Sequence, residues 1–249
     1  MPTTPLEPRA LLADLYWTAV KAVAPGPALR LALEAEPGPA AQRVHLLALG
    51  KAAGPMAEEA VAFLQRIGRQ PAGGLLVVPE ATASPDPSLT VLVGDHPIPG
   101  EGSLAASDRL GEQVRAVRAG DEVWVLLSGG ASSLIAAPLP EISRSDLVGL
   151  FGLLLGSGLD IAAMNRVRKR FTRWAGGRLG VSLSHAIVKN FTISDVINVG
   201  LASIGSGPCV ADPTTAEELI EFLTQQEMWE PLSPPLQAYL LAAKAGHVA

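Results

Sequence analysis

Short, continuously apolar runs alternate with longer amphipathic stretches along this chain. The apolar runs predict β-strands at 44–49, 73–79, 90–93, 122–128 and 186–193, because such runs are typical of strands buried on both faces of a parallel sheet. The stretches between them predict helices at about 9–24, 52–67, 101–118 and 144–155, where apolar residues recur at helical spacing. Strands that alternate with helices predict an α/β fold, namely a Rossmann-like three-layer αβα sandwich with a mostly parallel sheet.

Local signals predict where several helices begin and end. The Pro-Gly-Pro segment at 25–27 is expected to stop the first helix before a second short one, since proline and glycine interrupt helices. Ser143 and Asp146 have the spacing of an N-cap residue and its acidic partner. Asp160 can cap the helix after it, and residues 214–218 predict the start of another helix near the end of the chain.

The chain is expected to divide into two unequal parts. Residues 1–226 carry the alternating pattern and are predicted to form one α/β domain. Residues 227–249 differ in composition, because the proline-rich stretch at 229–235 is hinge-like and only a short apolar segment, 236–245, follows it. That last segment is predicted to form a short helix.

Three apolar runs, 44–51, 123–133 and 202–208, each end in a glycine-rich turn. A turn that follows a parallel strand lies at the carboxyl edge of the sheet, where open α/β folds bind ligands. Glycine allows backbone N–H groups to approach a phosphate closely, and a following helix N-terminus favours negative charge. Three such turns in one chain predict phosphate chemistry, with all three runs interpreted as buried strands.

Lys51 is the first candidate for a catalytic residue. It directly follows Gly50, where a buried strand meets a helix, so its ammonium could neutralise charge that develops during phosphoryl transfer. A solvated lysine is the alternative, although a cation at a helix start opposes the helix dipole. The spacing does not match a Walker A loop, because no glycine lies five residues before the Gly-Lys pair.

Glycines and hydroxyl groups form two further candidate anion sites. Ser128, Gly129, Gly130 and Ser132 follow a strand and combine backbone N–H groups with side-chain hydroxyls, the composition of an anion nest. A tight strand-to-helix turn is the alternative. Ser206, in the Gly-Ser-Gly-Pro turn, is as compatible with a plain turn as with a phosphate contact.

A polar helix face and two isolated side chains complete the candidate residues. Asn165, Arg168 and Lys169 share one face of a predicted helix at i, i+3 and i+4 and could bind a carboxylate or phosphate, or form a solvated basic face. Asp195 follows a strand and could bind a metal ion, accept a proton or cap a turn. His96 is flanked by Asp95 and Pro97 with no second histidine nearby, which disfavours a metal site.

Composition limits the classes of function. Hydrophobic residues make up 48% and charged residues 17% of the 249 residues, which is ample for a folded core. The net charge of −5 argues against a nucleic-acid surface. With Cys209 as the single cysteine, neither an internal disulfide nor a cysteine-cluster metal site can form. No signal peptide or apolar run of membrane-spanning length is visible, so a cytoplasmic protein without membrane contacts is expected.

These motifs, in this order, resemble those of the glycerate 2-kinase family, historically often labelled hydroxypyruvate reductase. The matching stretches are 50–57, 94–103, 127–134, 165–169, 176–179, 194–196 and 206–215. The resemblance implies transfer of the γ-phosphoryl group of ATP to the 2-hydroxyl of D-glycerate, with Mg²⁺. By position, Lys51 corresponds to the family's active-site lysine, Ser128 to Ser132 match its glycine-rich loop, and Asn165, Arg168 and Lys169 match its polar helix. Lys51 and Asp195 are the expected catalytic residues, and Asp195 is the expected metal ligand.

The chain also departs from the family pattern. It has Asn198, Val199 and Gly200 where relatives usually carry Gly-Asp-Asp, so two carboxylates are missing. Family members continue into a second, carboxyl-terminal domain, which is expected to be absent here. Two origins stay open: a separately encoded chain that supplies this domain, or a truncated or frameshifted gene. Exposed apolar surface where the domain would dock also favours a homo-oligomer. Three functions stay open: a glycerate kinase, a non-catalytic glycerate- or phosphate-binding module, and an NAD(P)H-dependent reductase.

Overall fold

A five-stranded sheet forms the centre of the molecule over the residues that the computed structural model describes, 7–194 and 200–248. The strand order is β3-β2-β1-β4-β5, and every neighbouring pair is parallel. The strands are β1 Val44–Leu49, β2 Gly73–Val78, β3 Leu89–Val93, β4 Glu122–Leu127 and β5 Ile187–Thr192. The strands predicted at 44–49, 73–79, 90–93, 122–128 and 186–193 are therefore present.

Ten α-helices and one 3-10 helix precede, connect or follow these strands in the described ranges. The α-helices are α1 Pro8–Ala22, α2 Pro25–Ala35, α3 Ala53–Arg66, α4 Glu101–Ala116, α5 Ala131–Leu134, α6 Arg144–Gly156, α7 Ile161–Phe171, α8 Arg178–Ser182, α9 Ala216–Gln225 and α10 Pro234–Lys244. The Ser143, Asp160 and Thr215 side chains each accept a hydrogen bond from the first turn of the helix that they cap. The helix starts predicted from capping residues are thus present.

Helices cover both faces of the sheet and bury it in two apolar layers. Leu29 and Leu33 of α2, with Met56 and Leu64 of α3, pack against one face. Leu110 of α4 and residues of α5 and α8 pack against the other face. Because the β1 and β4 side chains are buried on both faces, their sequences are apolar on both faces rather than alternating, apart from His45 and Glu122 at their amino-terminal ends. This arrangement is the predicted three-layer αβα sandwich.

A third apolar cluster lies beside the sheet. It joins Phe151 of α6 and Phe171 of α7 to residues of α9 and α10. The segment 227–249, interpreted above as a hinge and tail, packs into this cluster over its described residues through Leu232, Leu236 and Leu240.

The structure corrects one local prediction and bears out another. Residues 202–208 do not form a strand, because Leu201–Ser206 is a 3-10 helix and Gly205, Ser206 and Gly207 have φ values of 55°, 61° and 58°. These left-handed conformations are incompatible with a strand. As predicted, α1 ends just before the segment at 25–27 and a second short helix follows. The segment itself forms the first turn of α2, where proline is tolerated because the N–H groups there lack intrahelical acceptors.

The connections place a crevice at the carboxyl ends of β1 and β4. Helix α3 connects β1 to β2 across one face of the sheet, whereas α4 connects β3 to β4 across the other. Helices α5 and α8, which follow β4, pack on the same face as α4, so the chain leaves the two central neighbours, β1 and β4, toward opposite sides. In open α/β sheets, this reversal is the position at which ligands bind.

A buried carboxylate stabilises the opposite, amino-terminal edge of the sheet. Glu122 is fully buried and accepts hydrogen bonds from Ala40 N at 2.7 Å and from the Trp124 indole at 2.7 Å. The Lys189 ammonium lies 3.4 Å away. Burial raises the pKa of Glu122, but the hydrogen bonds and Lys189 outweigh it, so the pKa lies below its ordinary value of 4.5.

Helix α1 buries none of its residues. Leu12, Leu15, Tyr16 and Trp17 are each more than half exposed, although their spacing predicts burial of one face. An isolated helix of this length is marginal in water, and α1 leaves these apolar side chains exposed. No helix in the described part of the chain combines the length and apolarity needed to cross a membrane.

Replacing Glu122 with alanine is expected to lower the free energy of unfolding by about 3 kcal/mol at pH 7, because several buried donors lose their charged acceptor. The carboxylate stabilises the fold above pH 4.5, the ordinary pKa of the group, and this contribution is lost as the pH falls through the lower folded-state pKa. Urea unfolding of both proteins between pH 7 and pH 3 measures the difference. Glu58→Ala, at an exposed position of α3, is the control, and an equally small effect of both variants would contradict the assignment.

Trp17 is expected to provide most of the fluorescence that acrylamide quenches, because it is 57% exposed, whereas Trp124 and Trp174 are at most 5% exposed and Trp229 is only partly exposed. Trp17→Phe should remove most of the readily quenched emission, while Trp174→Phe should remove unquenched emission and so raise the quenched fraction of the total. Protection of Trp17 in the monomeric chain would show that α1 packs against the rest of the molecule.

Candidate functional site

Two loops approach each other closely where β1 and β4 end. Gly50 has a φ of +123°, and a Cβ atom added there would lie 2.4 Å from Ser128 Oγ, so only glycine fits. Across this contact Lys51 N donates to Gly129 O at 2.9 Å, and Ala52 N donates to Ser128 Oγ at 3.0 Å. Gly50 and Ser128 are buried and join the two loops, so Ser128 uses its hydroxyl within the protein.

The Lys51 side chain lies along the glycine turn after β4. Its Cγ and Cε atoms are 3.2 and 3.3 Å from the position that a Cβ atom of Gly130 would occupy, and Gly130 has a φ of +86°. A larger residue at position 130 would therefore displace the lysine. Lys51 is exposed, so its ammonium is accessible to a ligand at the mouth of the turn.

A third loop brings His96 to the same place. A Cβ atom on Gly94 would lie 2.4 Å from Leu134 O, so the glycine allows the loop after β3 to pack against α5. Asp95 fixes this loop, since its carboxylate accepts from Ser103 N at 3.0 Å while its own N–H donates to Ser103 Oγ at 2.8 Å. The His96 ring then lies 3.3 Å from the same Gly130 position.

Ser132 and Ser206 are hydrogen-bonded to each other across the site. Their hydroxyl oxygens are 2.7 Å apart, which joins α5 to the 3-10 helix. Ser206 is buried and has a positive φ of 61°, a conformation that costs energy for a residue other than glycine. The 3-10 helix thereby lies beside the glycine turn, with Gly205 at the cavity surface.

Helix α7 contributes a buried amide and a buried guanidinium. Asn165 Nδ2 donates to Ser203 O at 2.9 Å, and Arg168 Nη1 donates to Asn165 Oδ1 at 3.3 Å. The Arg168 guanidinium also stacks on Phe151, with 4.5 Å between its Cζ atom and the ring centroid. These contacts hold Arg168 in one orientation.

Arg168 carries a buried charge without a partner carboxylate in the described ranges. It is 5% exposed, its Nε has no hydrogen-bond partner, and no ion pair within 4.0 Å involves it among residues 7–194 and 200–248. Burial alone lowers the pKa of Arg168 well below its ordinary value, to about 10. Such a shift corresponds to roughly 3 kcal/mol of unfavourable desolvation, which a bound anion would offset.

Lys169 is separated from its two neighbours on the predicted polar face. It is buried, its Nζ lies 3.7 Å from Asp212 Oδ1, and it does not line the cavity that Asn165 and Arg168 reach. Successive helical residues project about 100° apart. The two side chains therefore lie in different surroundings: Arg168 borders the cavity, whereas Lys169 lies near Asp212.

These elements enclose a cavity of about 380 Å³. Lys51, His96, Asn165 and Arg168 are its polar and charged side chains apart from serine hydroxyls, and no carboxylate borders it in the described part of the chain. Its remaining lining residues are Pro97, Gly129, Gly130, Ser132, Ser133, Leu155, Ile161, Ser203, Ile204 and Gly205. The cavity therefore combines two cations with serine and glycine donors and is suited to an anionic ligand.

Sequence reasoning did not assign His96, Leu155 or Ile161 to the site. The position of His96 in the sequence could have indicated it, because His96 follows β3 and so lies at the same sheet edge as the other loops. Leu155 and Ile161 end α6 and begin α7, and only the tertiary packing brings them to the cavity. Asp195, expected as catalytic residue and metal ligand, lies outside the described residues, among which no group of three potential metal ligands occurs.

Comparisons with known proteins identify relatives of this chain. The family model described as "Domain of unknown function (DUF4147)" matches residues 11–241. The chain is 32% identical over 206 residues to a protein from Pyrococcus horikoshii named glycerate 2-kinase, covering 83% of this chain and 46% of the relative. It is 32% identical over 216 residues to a protein from Thermotoga maritima named D-glycerate 2-kinase, covering 86% of this chain and 50% of the relative.

Comparison with solved structures identifies relatives from the same group of proteins. A crystal structure of glycerate kinase from Thermotoga maritima superposes with a TM-score of 0.78 at 30% identity, over 93% of this chain and 54% of that one. The chain thus spans about half the length of the relatives it matches. The ordered motifs, the family match and the superposition agree: the chain belongs to the glycerate 2-kinase family, described by the DUF4147 model.

Proposed function

We propose that this chain forms the anion-binding half of a glycerate 2-kinase, which transfers the γ-phosphoryl group of ATP to the 2-hydroxyl of D-glycerate. The observation that carries this proposal is the convergence of Lys51, Arg168 and the glycine turn on one cavity without carboxylates in the described ranges. The cavity lies at the strand reversal where α/β folds bind ligands. Positive charge placed there before the reaction stabilises the charge of the transferring group.

Each group has a role in the proposed reaction. The 2-hydroxyl oxygen attacks the γ-phosphorus, the bond between that phosphorus and the β–γ bridging oxygen breaks, and ADP leaves with the bond electrons. Lys51, beside Gly130, is proposed to neutralise the phosphoryl oxygens. The hydroxyl proton passes to a base, for which Asp195 is proposed on the family pattern.

The residues of this chain provide more groups for binding ATP than for binding Mg²⁺. Lys51, Ser132 and the glycine turn are suitable donors for the phosphates of ATP. Mg²⁺ would need oxygen ligands, and Asp195 is the residue proposed to bind it. When bound, Mg²⁺ would neutralise phosphate charge and hold two phosphate groups in position.

The remaining walls of the active site are proposed to come from a segment equivalent to the half of the relatives that this chain does not match. The exposed apolar face of α1, including Leu12, Leu15 and Trp17, is a surface on which such a segment could dock. A homo-oligomer is the alternative occupant. Light scattering of the purified chain, alone and with the corresponding half of a relative, distinguishes the two.

A reductase is disfavoured by the loop after β1. Dinucleotide-binding folds have a G-x-G-x-x-G turn, in which glycines admit the pyrophosphate. Here Lys51 and Ala52 follow Gly50, and the lysine side chain covers the adjacent turn. We therefore expect no oxidation of NADH in the presence of hydroxypyruvate.

Lys51→Met is expected to lower ADP formation from ATP and D-glycerate by about 100-fold or more, because the removed charge acts on the transferring group. A coupled assay with Mg²⁺ measures the rate, with the docking segment added if the chain needs it. Lys244→Met, which removes an exposed lysine of α10 paired with Glu217, is the control and should keep the parent rate.

Two results would contradict the kinase assignment. One is an unchanged rate in Lys51→Met. The other is tight binding of D-glycerate without turnover even when the docking segment is present, which would identify the chain as a binding module.

A further inference from the structure

The guanidinium of Arg168 differs in kind from the ammonium of Lys51, although both reach the same cavity. Lys51 is exposed and lies on a glycine turn, whereas Arg168 is 5% exposed and held by Asn165 and Phe151. A lysine is a compact charge on a flexible stem, and an arginine is a planar fork of donors. The two cations are therefore suited to different parts of one ligand.

We propose that Arg168 binds the carboxylate of the substrate and thereby selects 2-hydroxycarboxylates over neutral polyols. This inference rests on the proposed function, in which the transferring phosphoryl group lies beside Lys51. The non-reacting anionic end of the acceptor is then left for the second cation of the cavity. A carboxylate is planar and matches the guanidinium fork, which gives selectivity through geometry as well as charge.

The burial of Arg168 supports a ligand of matching charge. Its Nε lacks a hydrogen-bond partner, and no carboxylate of the described residues pairs with it. Retaining an unpaired charge destabilises the empty protein. A bound carboxylate places one negative charge beside the positive charge of Arg168. Binding therefore removes the free-energy cost of the unpaired charge and leaves this pair without net charge.

The apolar wall of the cavity supports a short carbon chain between the two ends. Leu155, Ile161 and Ile204 border the same space as Arg168. Apolar side chains contact methine and methylene groups favourably but provide no hydrogen bonds to additional hydroxyls. This wall therefore suits the carbon chain of a hydroxy acid whose carboxylate contacts Arg168.

Calorimetric titration of the chain without nucleotide tests the proposal. The three probes are D-glycerate, its neutral methyl ester and inorganic phosphate. The parent chain should bind D-glycerate at least about tenfold more tightly than the ester, because the ester cannot form the charge-assisted pair. In Arg168→Gln, D-glycerate affinity should fall about tenfold or more and equal that of the ester, while phosphate affinity changes less than about twofold.

A matched control exists on the same helix. Arg166 stacks on Phe222 at 5.0 Å and does not line the cavity, so Arg166→Gln should leave all three affinities unchanged. Arg168→Lys keeps the charge but removes the fork, and it should recover only part of the preference for the acid over its ester.

Thermal unfolding separates a folding defect from a binding defect. Without ligand, Arg168→Gln should unfold at the parent temperature or above it, because the substitution removes an unpaired buried charge. If Arg168→Gln fails to fold, Arg168→Lys supplies the affinity comparison.

Specific results would overturn the inference. They are unchanged D-glycerate affinity in Arg168→Gln, equal loss of D-glycerate and phosphate affinity, or equal affinity of the parent chain for the acid and its ester. Because these measurements need no ATP, they test the role of Arg168 separately from the kinase proposal. Selective acid binding without turnover would refute the kinase proposal but support the role of Arg168.

Discussion

The close contact between Gly50 and the Ser128 backbone is the constraint on which the site depends. It lets the loops after β1 and β4 hydrogen-bond to each other, at the position where the chain leaves the sheet toward opposite faces. Any side chain at position 50 would meet Ser128 at 2.4 Å and separate the loops. Lys51 would then no longer lie against the glycine turn, and the cavity would lose one of its two cations.

The same site contains a buried, unpaired charge that lowers the stability of the fold. Native proteins rarely bury a charge without a partner, yet Arg168 is nearly inaccessible and has no carboxylate partner among the described residues. At the other edge of the sheet, Glu122 is equally buried but is satisfied by an indole, backbone N–H groups and Lys189. The hydrogen-bonding and ionic partners of Glu122 are complete within the fold, whereas those of Arg168 are not, and this contrast supports the proposal that Arg168 binds a ligand.

Much of the fold could be predicted from sequence, because strands buried on both faces must be continuously apolar and helix caps have local signals such as Ser143 and Asp160. The 202–208 segment was mistaken for a strand, since its apolar run gives no sign that Ser206 adopts a positive φ. Helical spacing grouped Lys169 with Arg168, although packing pairs Lys169 with Asp212. The approach of His96 depends on contact between distant elements, which local patterns do not encode.

A crystal structure of this chain with D-glycerate would test the central claim most directly. The account predicts the carboxylate oxygens within about 3 Å of the Arg168 guanidinium, and the 2-hydroxyl on the side of the cavity bordered by Lys51 and Gly130. Glycerate bound elsewhere on the protein, or a Lys51 side chain directed away from the glycine turn, would contradict it.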